Sequence, residues 1–331
     1  MSRVIVTGAA GYIGGQTVLN LLDQGHSVMG IDNTMAPQHL IDCGVKWYIG
    51  NFADELELNA IKTFKPDAII HCAGTSLVGP SMTDPGEYYD NNISKTIRLL
   101  NVIKDMEHKP YIMFSSSASV YGVPEEFPIF EDAKVQPISP YGNTKAITET
   151  ILKDYATAYG ISSVVFRYFN AAGAMPGTFD LGQEPGATHI VARVLEAAIN
   201  NQDFTLYGSD YDTPDGTCIR DYVHVWDIAR AHTIAADFHG DSNLADSHIY
   251  NLGTCLGTSN MEIVRYVTSR YNLNKLLVQH RRPGDPPKLV ADYNLAHFML
   301  GWSPENSNIE TIIDSAYKWY TRNTETVDAA V

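Results

Sequence analysis

Cysteine is scarce in this chain, and the four that exist, Cys43, Cys72, Cys218 and Cys255, stand far apart. No Cys-x-x-Cys pair exists, so the pattern indicates neither a zinc site nor a disulfide framework, and no metal is expected. Reduced, mostly buried thiols are the expectation. No apolar run approaches 18 residues, which argues against a membrane-spanning helix. Positive charge is also in deficit: 23 Lys and Arg face 38 Asp and Glu, a net charge of −15. A surface of that sign argues against nucleic acid as a partner, while leaving room for local arginines around a small phosphorylated ligand. The start, MSRVIVTG, lacks a charged stretch followed by a long apolar one. A signal peptide is therefore not expected, and the chain reads as soluble and cytoplasmic. Repeats and low-complexity tracts are missing as well.

What is present suits a folded enzyme-sized chain. Hydrophobic residues make up 44% of 331, enough for a sizeable core, and charged residues 18%, too few for disorder. That length suggests about two domains, or one large α/β unit. Apolar β-branched runs at 4–6, 28–31, 45–49, 68–71, 112–114 and 164–166 alternate with helical patterns, notably at 13–24, 88–106 and 141–159. Such runs between amphipathic helices predict a Rossmann-type, doubly wound parallel sheet over residues 1–170. From 171 the texture changes to a smaller mixed α/β domain for substrate, running to 331, with residues 218–253 returning to the first unit. Residues 171–186 (AAGAMPGTFDLGQEPG) and 208–217 read as loops. Helices are expected at 188–200, 259–272 and 309–323, a strand at 204–207, and a frayed tail at 324–331.

Residues 7–14 read TGAAGYIG, placing Gly8, Gly11 and Gly14 between the first strand and first helix. Glycines there let the backbone turn sharply and bring its N–H groups to a pyrophosphate at the helix N-terminus. Asp32 ends the second strand, where a carboxylate accepts both ribose hydroxyls of NAD and repels the 2′-phosphate of NADP. Asn33 beside it is a second candidate ribose contact.

Further along, FSSSASVYG (114–122) precedes PYGNTK (140–145). Tyr141 and Lys145 share a helical face at i and i+4. An ammonium beside a phenol favours phenolate and lowers the tyrosine pKa, which suits a general base. Ser117, at the end of the fifth strand, is placed to hydrogen-bond the substrate oxygen.

With these segments the chain resembles the extended short-chain dehydrogenase/reductase family, in its nucleotide-sugar 4-epimerase branch. The resemblance spans residues 3–320 and rests on VTGAAGYIG, EYYDNNISKTIRLL, FSSSASVYG, SPYGNTK, FRYFNAAGA, DGTCIRDYVHVWDIARAH, YNLGT and RRPGDPP. It implies NAD as cofactor, a homodimer, and interconversion of UDP-glucose and UDP-galactose by oxidation at C4, rotation of the keto sugar and re-reduction. By position it implies Ser117, Tyr141 and Lys145 as the catalytic set. Tyr12, Ile13, Ala73, Gly74, Asn92, Ser115 and Tyr168 then join the cofactor contacts. Asn170, His189, Arg220, Arg282, Asp285 and Leu289 fall to the sugar nucleotide. His224, within an apolar run, is expected to be structural.

The chain departs from the family at two places. Asn51, before Phe52, stands where members usually carry Asp, and still offers an acceptor to the adenine amino group. A lysine near the nicotinamide ribose is here Ser76, which bears on how tightly NAD is held. Dehydratases of this kind carry Asp-Glu after the catalytic Ser or Thr; Ala118 and Ser119 offer no acid. A 4-epimerase acting on another UDP-sugar (N-acetylhexosamine, uronate or pentose) stays open, as does a non-catalytic NAD-sensing module. The dimer is expected to pair the helices at 88–106 and 141–159, with Ile93, Ile97 and Leu100 in the seam.

Overall fold

Short Val- and Ile-rich runs form strands that are buried on both faces, and the helices between them cover those faces. The computed structural model describes residues 1–175, 181–237, 247–281 and 285–328. Its first half contains strands β1 (Arg3–Thr7), β2 (Ser27–Asp32), β3 (Lys46–Ile49), β4 (Ala68–His71), β5 (Tyr111–Ser117) and β6 (Ser163–Tyr168). The helices of that half are α1 (Tyr12–Asp23), α2 (Gln38–Asp42), α3 (Glu55–Phe64), α4 (Val78–Ser81), α5 (Pro85–Tyr89), α6 (Lys95–Lys104) and α7 (Pro140–Tyr159). The second half adds strands β7 (Asn170–Ala172), β8 (Ala174–Met175), β9 (Leu181–Gly182), β10 (Asp203–Tyr207), β11 (Ile219–His224), β12 (Ser247–Leu252), β13 (Gly257–Ser259), β14 (Lys275–Gln279) and β15 (Lys288–Leu289). Its helices are α8 (Ile190–Ile199), α9 (Val225–Asp237), α10 (Asn260–Tyr271), α11 (Asn294–Leu300) and α12 (Ile309–Asp328).

Seven parallel strands form the main sheet in the order β12-β6-β5-β4-β1-β2-β3. One face buries Val4, Val6, Val28 and Ile70 under α1 and α9; the other buries Ile5, Met29, Ile69 and Ile112 under α3, α6 and α7. Chain order reverses between β1 and β4, so the crevice for a nucleotide opens at their carboxyl ends. Only Phe169 separates β6 from β7, which leaves the main sheet and pairs in parallel with β11. β11 also pairs with β13 and β15, forming a second, small sheet. The chain then returns: α9 packs on α1, and β12 extends the main sheet beside β6.

Several expectations need correction. The helix expected at 88–106 is broken, because a π-helical stretch, Asp90–Ser94, separates α5 from α6. The Asn92 carbonyl accepts from the hydroxyls of Thr96 (2.8 Å) and Thr148 (3.3 Å), competitors that loosen the regular ladder there. The stretch read as loop at 171–186 carries β7, β8 and β9, because β7 has a partner 52 residues away in sequence that local composition does not reveal; residues 176–180 lie outside the described part. The tail is helical to Asp328. Leu100 packs into the core of its own sheet, so it is not available to a dimer seam. All four cysteines are free, but only Cys218 is buried; Cys255 is exposed.

Three of the buried histidines bear on how this fold responds to acid. Burial holds His71 and His232 down at about 3 and His224 at about 4. All three are therefore neutral in the fold but bind protons near pH 6.5 once unfolded, so stability is lost as pH falls below 6.5. Asp221, pushed up to about 6 by burial, works in the opposite direction and offsets one of the three. With three groups on one side and one on the other, stability should fall as pH drops from about 6.5 toward 5. Thermal melts at pH 7.5 and 5.0 should differ by many degrees, and equal melting temperatures would show that these histidines ionise in place.

Candidate active site

The glycine turn is set by backbone contact. Gly8 has φ +71, and a Cβ there would lie 2.7 Å from the Ala73 nitrogen; a Cβ on Gly14 would lie 2.0 Å from the Gly8 oxygen. The turn is thus pressed between β4 and the first turn of α1. No side chain caps that helix at Gly11, so its first N–H groups remain for a ligand. Across the crevice Asp32 is fixed by the N–H of Ala10 (3.0 Å) and by the N–H and hydroxyl of Thr34 (3.1 and 3.0 Å). The Oδ1 of Asn51 already accepts from the Ala53 N–H at 3.0 Å.

The catalytic candidates converge where β5 meets α7. Ser139 caps α7 by accepting from the Gly142 N–H at 3.1 Å, with Pro140 in the first turn. A Cβ on Gly142 would lie 2.6 Å from the Ser119 oxygen, so glycine allows the helix to dock against the strand end. Docking buries Tyr141 and Lys145. Lys145 donates to the Ser115 carbonyl at 2.7 Å, and its ammonium lies 5.7 Å from the Tyr141 ring centre. Burial lowers its pKa to about 8. The Tyr141 phenol is pushed up by burial, with a hydrogen bond to Ser117 acting the other way. This corrects the expectation of a lowered phenol: in the protein alone, burial outweighs the hydrogen bond from Ser117.

A buried network underlies this corner. Glu149, one turn beyond Lys145, accepts from Ser116 (2.5 Å) and from Arg167 (2.7 and 3.1 Å). Arg167 also donates to the Tyr121 hydroxyl at 2.8 Å. Helix α7 is thereby pinned to β5 at two adjacent residues, Ser115 through Lys145 and Ser116 through Glu149.

All of this opens on one cavity of about 1160 Å³. Ordinary small-molecule sites span roughly 300–1,000 Å³, so there is room for more than one such ligand. Gly8, Gly11, Tyr12, Ile13, Gly14, Asp32, Asn33, Asn51, Phe52, Ala73 and Gly74 line one half. Ser115, Ser117, Tyr141, Lys145 and Tyr168 line the middle, and Asn170, His189, Arg220, Asp285 and Leu289 the other half. Tyr168 is held from behind by a short hydrogen bond between its hydroxyl and His232. Arg220 is ion-paired with Asp285. His224 lies apart, buried against Ser315 at 3.1 Å. Arg282 falls outside the described residues.

One assignment moves. Asn92 is buried behind the wall, bonded to the backbone of Thr75 (2.8 and 3.0 Å) and to Thr144 (3.0 Å), while Asn91 and Lys95 line the cavity instead. Nothing in the sequence marked those two, because a regular helix was expected there.

Residues 4–253 match the NAD dependent epimerase/dehydratase family. The chain belongs to this family. It is 39% identical to the UDP-glucose 4-epimerase of Lactobacillus helveticus over 96% of this chain and 97% of that one. Among solved structures it resembles the UDP-glucose 4-epimerase of Brucella ovis in complex with NAD (TM-score 0.89, 39% identity, 96% and 98% of the two chains). It also resembles that of Bifidobacterium longum in complex with NAD⁺ and UDP (TM-score 0.88, 35% identity, 97% and 99%). NAD is the cofactor of this epimerase. The uncapped helix end, the glycine turn that no side chain could enter and the fixed Asp32 carboxylate fit a dinucleotide. Among the described residues, no helix is long and apolar enough to cross a membrane, and no cluster of metal-binding side chains occurs.

Proposed function

We propose that the protein interconverts UDP-glucose and UDP-galactose. The observation that carries this reading is the position of Tyr141, Lys145 and Ser117, between a dinucleotide half and an arginine-bearing half of a single cavity. Tyr141 removes the proton of the sugar 4′-hydroxyl, with Ser117 bonded to the same oxygen. NAD, when bound, would supply the acceptor for the C4 hydride and the donor for its return. Lys145 supplies the positive charge that phenolate needs, and burial of the corner excludes water from the keto sugar. After the sugar has turned over, Tyr141 gives the proton back. Arg220 and Asp285 hold the UDP part, and His189, whose Nδ1 engages Gln183 at 2.8 Å, borders it. The acid pair that dehydratases carry after the catalytic Ser or Thr is replaced here, since Ala118 and Ser119 follow Ser117.

The test is incubation with UDP-galactose and no added cofactor. UDP-glucose should form without net NADH. Conversion that consumes NAD stoichiometrically would point to a dehydrogenase, and no conversion of any UDP-sugar to a non-catalytic module.

Leu289 decides the sugar. It pairs in register with Arg220 and lines the cavity, half-buried and without a hydrogen-bonding group. UDP-glucose and UDP-galactose should be the better substrates, with UDP-N-acetyl sugars slower. Leu289→Tyr adds volume that clashes only with the N-acetyl group. It should lower the kcat/KM ratio of UDP-N-acetylglucosamine to UDP-glucose about 10–200-fold. An unchanged ratio would place the selectivity elsewhere.

The same reading makes the protein a homodimer in the cytoplasm. The dimer is supported by the apolar side chains that α5, α6, α7 and the π-helical stretch leave uncovered, with Tyr89 and Tyr159 exposed and Ile93 and Ile97 half-buried. A monomer mass by light scattering at micromolar concentration would reject the dimer.

A further inference from the structure

We propose that Lys95 anchors the cofactor, its ammonium meeting the negative diphosphate and ribose end of the bound dinucleotide beside the loop at 73–76. This rests on the reading of that half of the cavity as the NAD site. Among the described residues, the lysines and arginines that line the cavity are Lys95, Lys145 and Arg220. Lys145 is committed to the Ser115 carbonyl at the catalytic corner, and Arg220 is ion-paired with Asp285 in the other half. The walls formed by the glycine turn, Asp32, Asn51 and Ala73 contain no basic side chain, yet a dinucleotide brings two phosphate charges. The end of α1 contributes only about half a charge.

Geometry delivers Lys95 to that place. The π-helical stretch turns Asn91 toward the loop, where it donates to the Thr75 hydroxyl at 2.9 Å. Asn91 in turn accepts from the Lys95 ammonium at 2.5 Å. The neighbouring Asn92 bonds the Thr75 backbone, and a Cβ on Gly74 would lie 2.8 Å from its Oδ1, so loop and helix are in contact. The Lys95 side chain is 23% exposed, dry enough for a charge contact to count. Its acidic neighbour, Asp90 at 3.5 Å, is 61% exposed and neutralises it weakly.

The experiment compares wild type, Lys95→Met, Lys95→Arg and the double variant Lys95→Met/Ser76→Lys. Ser76 is exposed on the loop at 73–76 and lines the same cavity, so a lysine there restores a cation to that part of the lining. NAD affinity is measured after stripping, UDP affinity by calorimetry, and melting temperature on the stripped protein. Lys95→Met should weaken NAD about 10–100-fold, with UDP affinity and melting temperature unchanged. Lys95→Arg and the double variant should recover most of the loss, and added salt should weaken NAD binding to wild type more than to Lys95→Met. Wild-type NAD affinity in Lys95→Met would overturn the proposal. So would equal losses of NAD and UDP, or a fall in melting temperature that Ser76→Lys does not repair, since either marks a structural role. A wild type with no affinity for NAD would instead overturn the reading of the cavity itself.

Discussion

Tyr141→Phe should lower turnover of UDP-galactose by about 10²–10⁴-fold while NAD content and melting temperature stay at wild-type values. The substitution deletes one oxygen and keeps the ring that fills the corner between α7 and Tyr88, whose ring centre is 6.5 Å away. It leaves little unsatisfied: the partner that loses its bond, Ser117, retains Ser119, whose hydroxyl and N–H both lie at 3.2 Å. What is lost, in the proposed reaction, is the group that takes and returns the 4′-hydroxyl proton. Steady-state rates, NAD absorbance and a thermal melt decide the matter together. A variant within a factor of a few of wild type would move the base to another group.

Glu149→Ala should remove about 3–5 kcal/mol of stability. Arg167 and Glu149 are nearly fully buried, with side chains 3% and 7% exposed. Burial alone would push the guanidinium down, but the hydrogen bonds and charge of Glu149 override it and hold Arg167 charged. Deleting the carboxylate leaves that charge in the core without its counter-ion and Ser116 without its acceptor. Domains are stable by about 5–15 kcal/mol, so this single change is a large fraction of the whole. The urea midpoint should fall sharply, and Glu149→Gln, which keeps an acceptor, should lose less. A loss below about 1 kcal/mol would show that water enters and solvates Arg167.

The parts of this fold that were legible in sequence are those with local causes. Val4–Val6 and Ile69–Ile70 read as strand because both faces of each are buried, and Asp32 followed from where β2 ends. The i, i+4 relation of Tyr141 and Lys145 needed only a helix. Their ionisation did not follow from spacing, because it depends on how deeply α7 docks, which Gly142 permits and no local pattern announces. The exchange of Asn92 for Asn91 and Lys95 has the same origin. A π-helical stretch changes by about 100° per residue which side chains face the cavity. Strand β7 escaped notice because its partner, β11, is remote in sequence and its own composition is that of a turn.

The passage from β6 to β7 through Phe169 also limits how such an enzyme can change. Boundaries between separable units fall in exposed linkers that few contacts cross. Here Tyr168 and Asn170, two residues apart, line the middle and the far half of the same cavity. The chain then crosses back to add α9 and β12 to the first sheet. A cut at Phe169 would part β6 from β12, its neighbour in the main sheet, and divide the cavity lining between two pieces. A change of sugar preference is therefore expected from substitution at lining positions such as Leu289.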